Sequence, residues 1–430
     1  MGVQENHMVT EAVTPVDLPG SSAAREAVEY PNLRGKRVGM VVFSCYPYDP
    51  RPRRIIGAML DAGMTIDLVC EGDEKAPEQE TLGGLTITRA PISHWRGGKL
   101  SYAYQYAAFI LYSAYILAKR TFKKRYDLVY IHNMPDVLVM SGLFPKLVGA
   151  KVILDQHDPM PELMRTIYNL DEHSMSVRII CWLEKWSLAR ANLVLTVNKA
   201  CERLFSERGC PIEKIGVVMN SPDEKIFSYR EARPSLSSSK SGDPNKHFVV
   251  MYHGSLVERN GLDLAVEALA RVRETIPNVE LRVFGRSTPY LEQVLQRAKE
   301  LGIEKHVRYL GSRQLEDLVP EIDACDVGVI PNQRNAFTDI NTPTRIFEYL
   351  ASGKPAIAPR TPGILDYFDA QSLFFFEAGD VAELATRIVD VYSDSSRAFE
   401  VAQRGQKMYV AHAWQQEKQT LLKLVSGLLQ

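Results

Sequence analysis

Residues 247–269, HFVVMYHGSLVERNGLDLAVEAL, decide the fold. The stretch opens with a β-branched and aromatic run of strand length and passes through a turn bounded by Gly254 and Gly261. It then continues with apolar residues at helical spacing. A buried strand feeding a helix through a glycine turn is the opening of a parallel βαβ unit. Downstream the same alternation repeats, with strand-length runs at 279–285 (VELRVFG), 306–311 (HVRYLG), 326–331 (DVGVIP), 354–359 (KPAIAP) and 372–377 (SLFFFE). Upstream it is present at 37–44 (RVGMVVFS), 65–70 (TIDLVC), 127–132 (DLVYIH), 150–157 (AKVILDQH), 191–197 (ANLVLTV) and 214–220 (KIGVVMN). Between the two series lies 233–246, RPSLSSSKSGDPNK, polar and rich in Ser, Pro and Gly, the composition of a connector. The expected class is therefore α/β, with two doubly wound parallel sheets facing each other across a cleft. The expected division is a flexible tail over 1–30, a first domain over 31–232, the linker over 233–246 and a second domain over 247–430 whose final helix crosses back to the first. In such sheets ligands sit beyond the carboxyl ends of the strands, so the functional residues belong in the loops there.

The 430 residues give ample chain for two cores, and 51 Lys+Arg against 52 Asp+Glu leave a net charge of -1. That balance supplies no global field for nucleic acid, and none is expected as a partner. The six cysteines form no Cys-x-x-Cys pair and accompany no histidine cluster at zinc spacing, so they read as reduced thiols. Residues 1–30 have neither a basic start nor an apolar run, which reads as neither secretory signal nor membrane anchor, and a cytoplasmic location is expected. Residues 102–118, YAYQYAAFILYSAYILA, are apolar or aromatic on nearly all sides and run into KRTFKKR. They are short for a membrane span, and their tyrosines suit a boundary better than a lipid core. Two readings stand: a buried helix of the first domain, or a helix lying through 102–125 on an anionic membrane, which would put the protein at the inner face of the plasma membrane.

No Gly-x-Gly-x-x-Gly follows the first strand of either half and no P-loop is present, which argues against a nicotinamide dehydrogenase and a P-loop NTPase. There is also no Asp-x-Asp pair to hold a divalent ion against a diphosphate, so no metal and no other cofactor is expected. In 341–359, NTPTRIFEYLASGKPAIAP, Thr342 reads as a helix N-cap, Pro343 as the first helical residue and Gly353 as the stop, for a helix of about ten residues. Its free amides would offer a phosphate site at the strand ends, and Glu348, one to two turns in, can accept from the paired hydroxyls of a ribose. A capped helix with an inner glutamate is also common as plain structure. In the turn after the first strand of the second half, Gly254 allows close backbone approach and Arg259 brings a permanent cation to the crevice, able to grip diphosphate oxygens as they leave. A solvated surface arginine is the competing account.

Taken in order, FSCYPYDPRPRR (43–54), HNMPD (132–136), ILDQHDPMPEL (153–163), ANLVLTVNKACERLF (191–205), YHGSLVERNGLDLAVEAL (252–269) and FEYLASGKPAIAP (347–359) resemble the retaining family-4 glycosyltransferases of the GT-B type, closest to their bacterial surface-polysaccharide branch. The resemblance implies two Rossmann-like domains and transfer of a sugar from a nucleotide diphosphate donor to a glycan or lipid-linked acceptor, with retention and without an essential metal. It implies that the second domain binds the donor: Glu348 corresponds to the ribose-binding glutamate, and Thr342, Pro343 and Thr344 correspond to the loop at the donor phosphates and sugar. Gly254, Ser255 and Gly363 line the same site in that scheme. His157 matches a histidine near the reacting sugar, with Asp158 beside it on the acceptor side.

The chain departs from the family pattern at two places. Ile340 stands where the family carries a first glutamate, eight residues before Glu348, with Asp339 beside it as the candidate substitute. Ser255 and Asn260 stand where the family carries its phosphate-binding Arg and Lys, leaving Arg259 as the nearby cation. In the first half, Arg51, Arg53 and Arg54 are read as loop cations able to meet a diphosphate or an anionic acceptor, with solvated loop cations as the alternative. Two rival functions remain: a nucleotide-sugar epimerase or hydrolase on the same scaffold, and a catalytically silent assembly scaffold.

Overall fold

The apolar runs become the central strands of two sheets, because a strand covered by helices on both faces must be hydrophobic throughout rather than alternating. The computed structural model describes residues 29–92, 99–233 and 247–430. The tail expected over 1–30 and the linker expected over 233–246 fall almost wholly outside the described residues.

The first sheet holds β1 (Arg37–Val41), β2 (Thr65–Cys70), β3 (Gln79–Leu82), β4 (Leu85–Arg89), β5 (Leu128–His132), β6 (Lys151–Gln156), β7 (Leu193–Thr196) and β8 (Ile215–Val217). Its order is β3-β4-β2-β1-β5-β6-β7-β8, parallel except for the β3–β4 pair. The second sheet holds β9 (Phe248–His253), β10 (Val279–Phe284), β11 (Val307–Tyr309), β12 (Val327–Val329), β13 (Ala356–Pro359) and β14 (Phe374–Phe376) in the order β11-β10-β9-β12-β13-β14, every pair parallel. Both orders reverse direction beside the first strand, and that reversal opens the crevice where ligands of doubly wound sheets sit.

The division of the chain differs from the sequence expectation in one respect. It leaves the first lobe after β8, ahead of the polar segment: Met219 and Phe227 are buried in the core of the second lobe, and the Arg230 amide donates to the Ala351 carbonyl. The last helix, Trp414–Leu428, returns to the first lobe, where Leu421, Leu422 and Val425 are buried in the same core as Met59, Ile66 and Leu193. Burying three such side chains contributes roughly 1.5–3 kcal/mol each before ordering costs.

The helix Lys99–Lys123 is buried along one face only. One face, with Phe109, Ser113 and Leu117, packs on the first sheet, whereas Tyr104, Leu111, Tyr115 and Phe122 are exposed at helical spacing on the other. Among the described residues no helix is long and apolar enough to cross a membrane.

Candidate functional site

The second lobe builds its side of the cleft from the glycine turn after β9 and from the helix Thr344–Ala351. Gly261 adopts φ 65°, and a Cβ there would lie 1.9 Å from the Pro331 carbonyl oxygen, so only glycine lets the turn seat against the end of β12. Arg259 projects from this turn with its guanidinium carbon 5.9 Å from the centre of the Phe337 ring. It has no carboxylate partner among the described residues, burial lowers its pKa, and Asp158 of the other lobe is close enough to offset part of that effect. The guanidinium therefore faces the gap between lobes.

The helix start corrects the sequence reading. Pro343 is the N-cap residue and Thr344 the first helical residue; Thr342 does not cap, because its hydroxyl donates to the Gly363 carbonyl at 2.7 Å. The Thr344 hydroxyl donates to the Asn220 carbonyl, in the segment that follows β8, at 3.2 Å. The amides of Thr344 and Arg345 find no partner among the described residues, which leaves the anion-binding end of the helix open. Gly353, at φ 72°, follows the helix as expected.

Gly363 is tightly packed. Its amide donates to the Asp339 carbonyl at 2.9 Å, and a Cβ would meet the Ile340 and Asn341 backbone at 2.6 Å. The Asp339 carboxylate is engaged by Arg334, whose Nε lies 3.3 Å from Oδ1. Ser255 is exposed, and its carbonyl accepts from Tyr252 Oη and Asn260 Nδ2, so its backbone rather than its side chain shapes the turn.

Two residues that sequence reading missed complete this side. Arg345, within van der Waals reach of Gly254, donates to the His253 carbonyl at 2.9 Å and to Asn332 Oδ1 at 3.1 Å, and lies over the Tyr252 ring. Like Arg259 it has no carboxylate partner among the described residues. His253, buried at the end of β9, bonds Glu348 Oε2 at 2.5 Å. The available signals were positional: Arg345 stands three residues before Glu348 on the same helix, and His253 directly precedes the glycine turn.

Across the cleft, His157 follows β6 and is about one-fifth exposed. Its Nε2 lies 2.9 Å from His132 Nδ1, and its amide donates to Asn133 Oδ1. Burial lowers the pKa of His132, keeping that imidazole neutral, and its Nε2 is buried without a partner. The tautomer that strands no buried N–H puts the His132 hydrogen on Nδ1, donating to His157 Nε2, and so assigns the hydrogen of a neutral His157 to Nδ1, which has no partner among the described residues. Asp158 is partly exposed, and burial pushes its carboxyl up against the opposing pull of His157 and Arg259.

The arginines after β1 are corrected. Arg51 lies in the first turn of the helix Pro50–Asp61 and is buried, its Nε and Nη2 donating to Asp155 at 3.2 and 2.6 Å and its Nη1 to the Val218 carbonyl at 3.0 Å. It is a structural cation, closed to any acceptor. Arg53 lies 3.5 Å from Asp223, and Arg54 bonds Asn220 and stacks on Trp414. Asp155 also accepts from Tyr130 Oη at 2.9 Å. With His132 and His157 it forms a cluster of metal-ligand types, but a cation there would have to displace a buried guanidinium already bonded to both carboxylate oxygens.

The lobes meet around this site through Asn198 Nδ2, which donates to the Ile340 carbonyl, and through a bidentate Arg203–Asp366 pair at 2.8 and 2.9 Å. Residues 49–221 match the family model described as Glycosyl transferase 4-like domain, and residues 236–408 match Glycosyl transferases group 1. Each lobe is thus similar to a glycosyltransferase domain. Among curated glycosyltransferases, the GDP-mannose-dependent alpha-(1-6)-phosphatidylinositol monomannoside mannosyltransferase of Mycolicibacterium smegmatis is 28% identical over 183 residues, covering 42% of this chain and 48% of that protein. The D-inositol 3-phosphate glycosyltransferase of Corynebacterium glutamicum is 30% identical over 179 residues, covering 40% and 42%. The chain spans about half the length of the curated relatives it matches. Among solved structures, sucrose-phosphate synthase of Thermosynechococcus elongatus superposes with a TM-score of 0.70 at 18% identity over 91% of this chain and 99% of that one. Anabaena HepE in complex with UDP gives 0.67 at 18% identity over 91% and 100%. The two lobes thus form a GT-B fold.

Proposed function

We propose that this protein transfers a glycosyl unit from a nucleoside diphosphate donor, held by the second lobe, to a glycan or lipid-linked acceptor entering from the first, with retention of configuration. The observation that carries the reading is a convergence at the strand ends of the second lobe. Two guanidinium groups with no carboxylate partner among the described residues, Arg259 in the turn after β9 and Arg345 against Gly254, belong to the same strand ends as the first amides of the helix Thr344–Ala351, which are likewise unpaired there. This is a seat for a diphosphate whose charge the protein itself neutralises, without an essential metal. Departure of the nucleoside diphosphate is eased by those cations, the acceptor hydroxyl enters on the same face, and its proton passes to a departing phosphate oxygen. His157, with Nδ1–H free, donates to the donor sugar from the other side of the cleft. A covalent nucleophile is not part of this reading: Asp155 is bound by Arg51, and Asp339 is paired with Arg334.

The exposed aromatic stripe of the helix Lys99–Lys123, followed by Lys124 and Arg125, supports peripheral binding to an anionic membrane and hence a lipid-linked acceptor in surface-polysaccharide assembly at the inner face of the plasma membrane. Bacterial relatives support the same pathway class: a lipopolysaccharide core glycosyltransferase, LpsE of Rhizobium meliloti, is 27% identical over 177 residues, 48% of its length. Thermal unfolding in the presence of a panel of nucleotide sugars, followed by product analysis with the donor that stabilises, tests the function. A stabilising donor consumed only when acceptor is present is the expected result, and stabilisation by none would refute the reading.

A further inference from the structure

His253 is the one buried histidine that sits beneath the donor seat. It is 3% exposed, and three residues of the helix Thr344–Ala351 converge on it. Its Nδ1 lies 2.8 Å from Tyr349 Oη, its Nε2 2.5 Å from Glu348 Oε2, and its backbone carbonyl accepts from Arg345 Nη1 at 2.9 Å. The proton directions follow from counting hydrogens. The Tyr349 phenol has a single hydrogen and donates it to the Met251 carbonyl at 2.8 Å, so its oxygen must accept from His253 Nδ1–H. With Nδ1 protonated, the contact between Nε2 and Oε2 requires one further proton, shared between them. Whether it resides on nitrogen or on oxygen, Oε2 is pinned, because removing it would set two lone pairs against each other. Glu348 Oε1 has no partner among the described residues, and the side chain keeps 11% of its surface exposed.

We propose, resting on the donor-lobe reading above, that His253 is the positioning residue of nucleotide recognition. Its side chain orients Glu348 so that Oε1 is presented to the ribose diol, and its carbonyl sets Arg345 at the phosphates, fixing the two contacts in register. A glutamate with free rotamers would lose side-chain entropy on every binding event; one already held by a relay anchored on the Met251 carbonyl does not. Preference for a ribonucleotide over its deoxygenated analogue is therefore a property of His253 as much as of Glu348.

Isothermal titration of the full chain with UDP and GDP, and with their 2′,3′-dideoxy counterparts, tests this. The wild type is expected to favour the ribonucleotide by about ten- to a hundredfold, the span of hydrogen bonds to a charged acceptor. Both Glu348→Ala and His253→Leu should shrink that ratio to below about threefold while leaving affinity for the dideoxy form unchanged, and His253→Gln, which keeps a donor toward Oε2, should restore most of it. General damage to the lobe would weaken both nucleotides equally. Tyr349→Phe, a milder change that removes the acceptor for Nδ1–H, should give an intermediate ratio and serves if His253→Leu does not fold. A full ratio retained in His253→Leu, or in Tyr349→Phe should the former be unfolded, would overturn the proposal while leaving the donor seat intact. Equal affinity of the wild type for both forms would also overturn it, and binding of none of the four nucleotides would remove the proposed function with it.

Discussion

Replacing Asp155 by asparagine tests whether Arg51 is structure or function. The substitution keeps the volume of the side chain and removes its charge, leaving a guanidinium that is 5% exposed without a counterion. Two of its three nitrogens point at the lost carboxylate, and the third, on the Val218 carbonyl, can stabilise the charge only in part. Removing one partner of such a buried pair costs about 3–5 kcal/mol, a large share of the roughly 5–15 kcal/mol that holds a domain together. With a urea dependence of about 2–3 kcal/mol/M for a lobe of this size, the unfolding midpoint should fall by roughly 1–2.5 M. Tryptophan fluorescence reads the right lobe, because Trp182 and Trp186 lie on its helix Met175–Arg190 and Trp414 packs on its core. Replacing both partners by apolar residues, Arg51→Met with Asp155→Leu, should recover much of the loss, though Tyr130 then also needs a new acceptor. Burial alone would raise the Asp155 carboxyl, but the Arg51 guanidinium holds it well below the ordinary carboxylate range. Its contribution is therefore present in full above about pH 4 and is lost only as pH falls through that depressed value. A midpoint shift under about 0.3 M for Asp155→Asn would refute the reasoning. It would mean that Arg51 reaches water and is available to an acceptor after all.

Arg259→Ala and Arg345→Ala should each lower turnover by about ten- to a hundredfold with a smaller change in donor KM, read from steady-state kinetics once the donor is known. Because burial lowers the His132 pKa in the folded lobe, the unfolded chain binds the extra proton first. Stability should decline as pH falls below about 6.5, by at most about 1.4 kcal/mol per pH unit, and a flatter urea-midpoint profile is expected for His132→Gln. Sedimentation with phosphatidylglycerol vesicles at low salt should drop tenfold or more when Tyr104, Leu111, Tyr115 and Phe122 are all changed to serine, with no change in nucleotide affinity; unchanged sedimentation would dismiss the membrane-facing role of that stripe.

The parallel strands were legible because each is a nearly unbroken apolar run flanked by turn chemistry, as in FVVMYH before Gly254. β3 and β4 were not: Gln79–Leu82 is polar and mostly exposed, an antiparallel edge that carries no burial signal of its own. At the site, glycine turns and helix boundaries were readable to within two residues, since backbone conformation is local. Arg259 could be placed at the cleft for the same reason. What failed was partnership between distant residues. Nothing local to Arg51 indicates that Asp155, over a hundred residues away, will consume it, nor does Gly363 reveal that the Ile340 carbonyl will lie where its Cβ would be. The residues overlooked, His253 and Arg345, have roles defined by contacts between the end of a strand and a helix about ninety positions later.

The closing helix Trp414–Leu428 follows two helices of the second lobe in the chain but belongs to the core of the first. The Met219 amide and the Glu417 carboxylate join the two crossings at 2.7 Å. A chimera of the two lobes could be cut once, in the polar connector. That single cut would graft a foreign helix onto the first lobe and leave Leu421, Leu422 and Val425 facing a surface they were not shaped for. A functional chimera needs two junctions, one near residue 218 and one near residue 413, so that the last fifteen-residue helix travels with the half it completes.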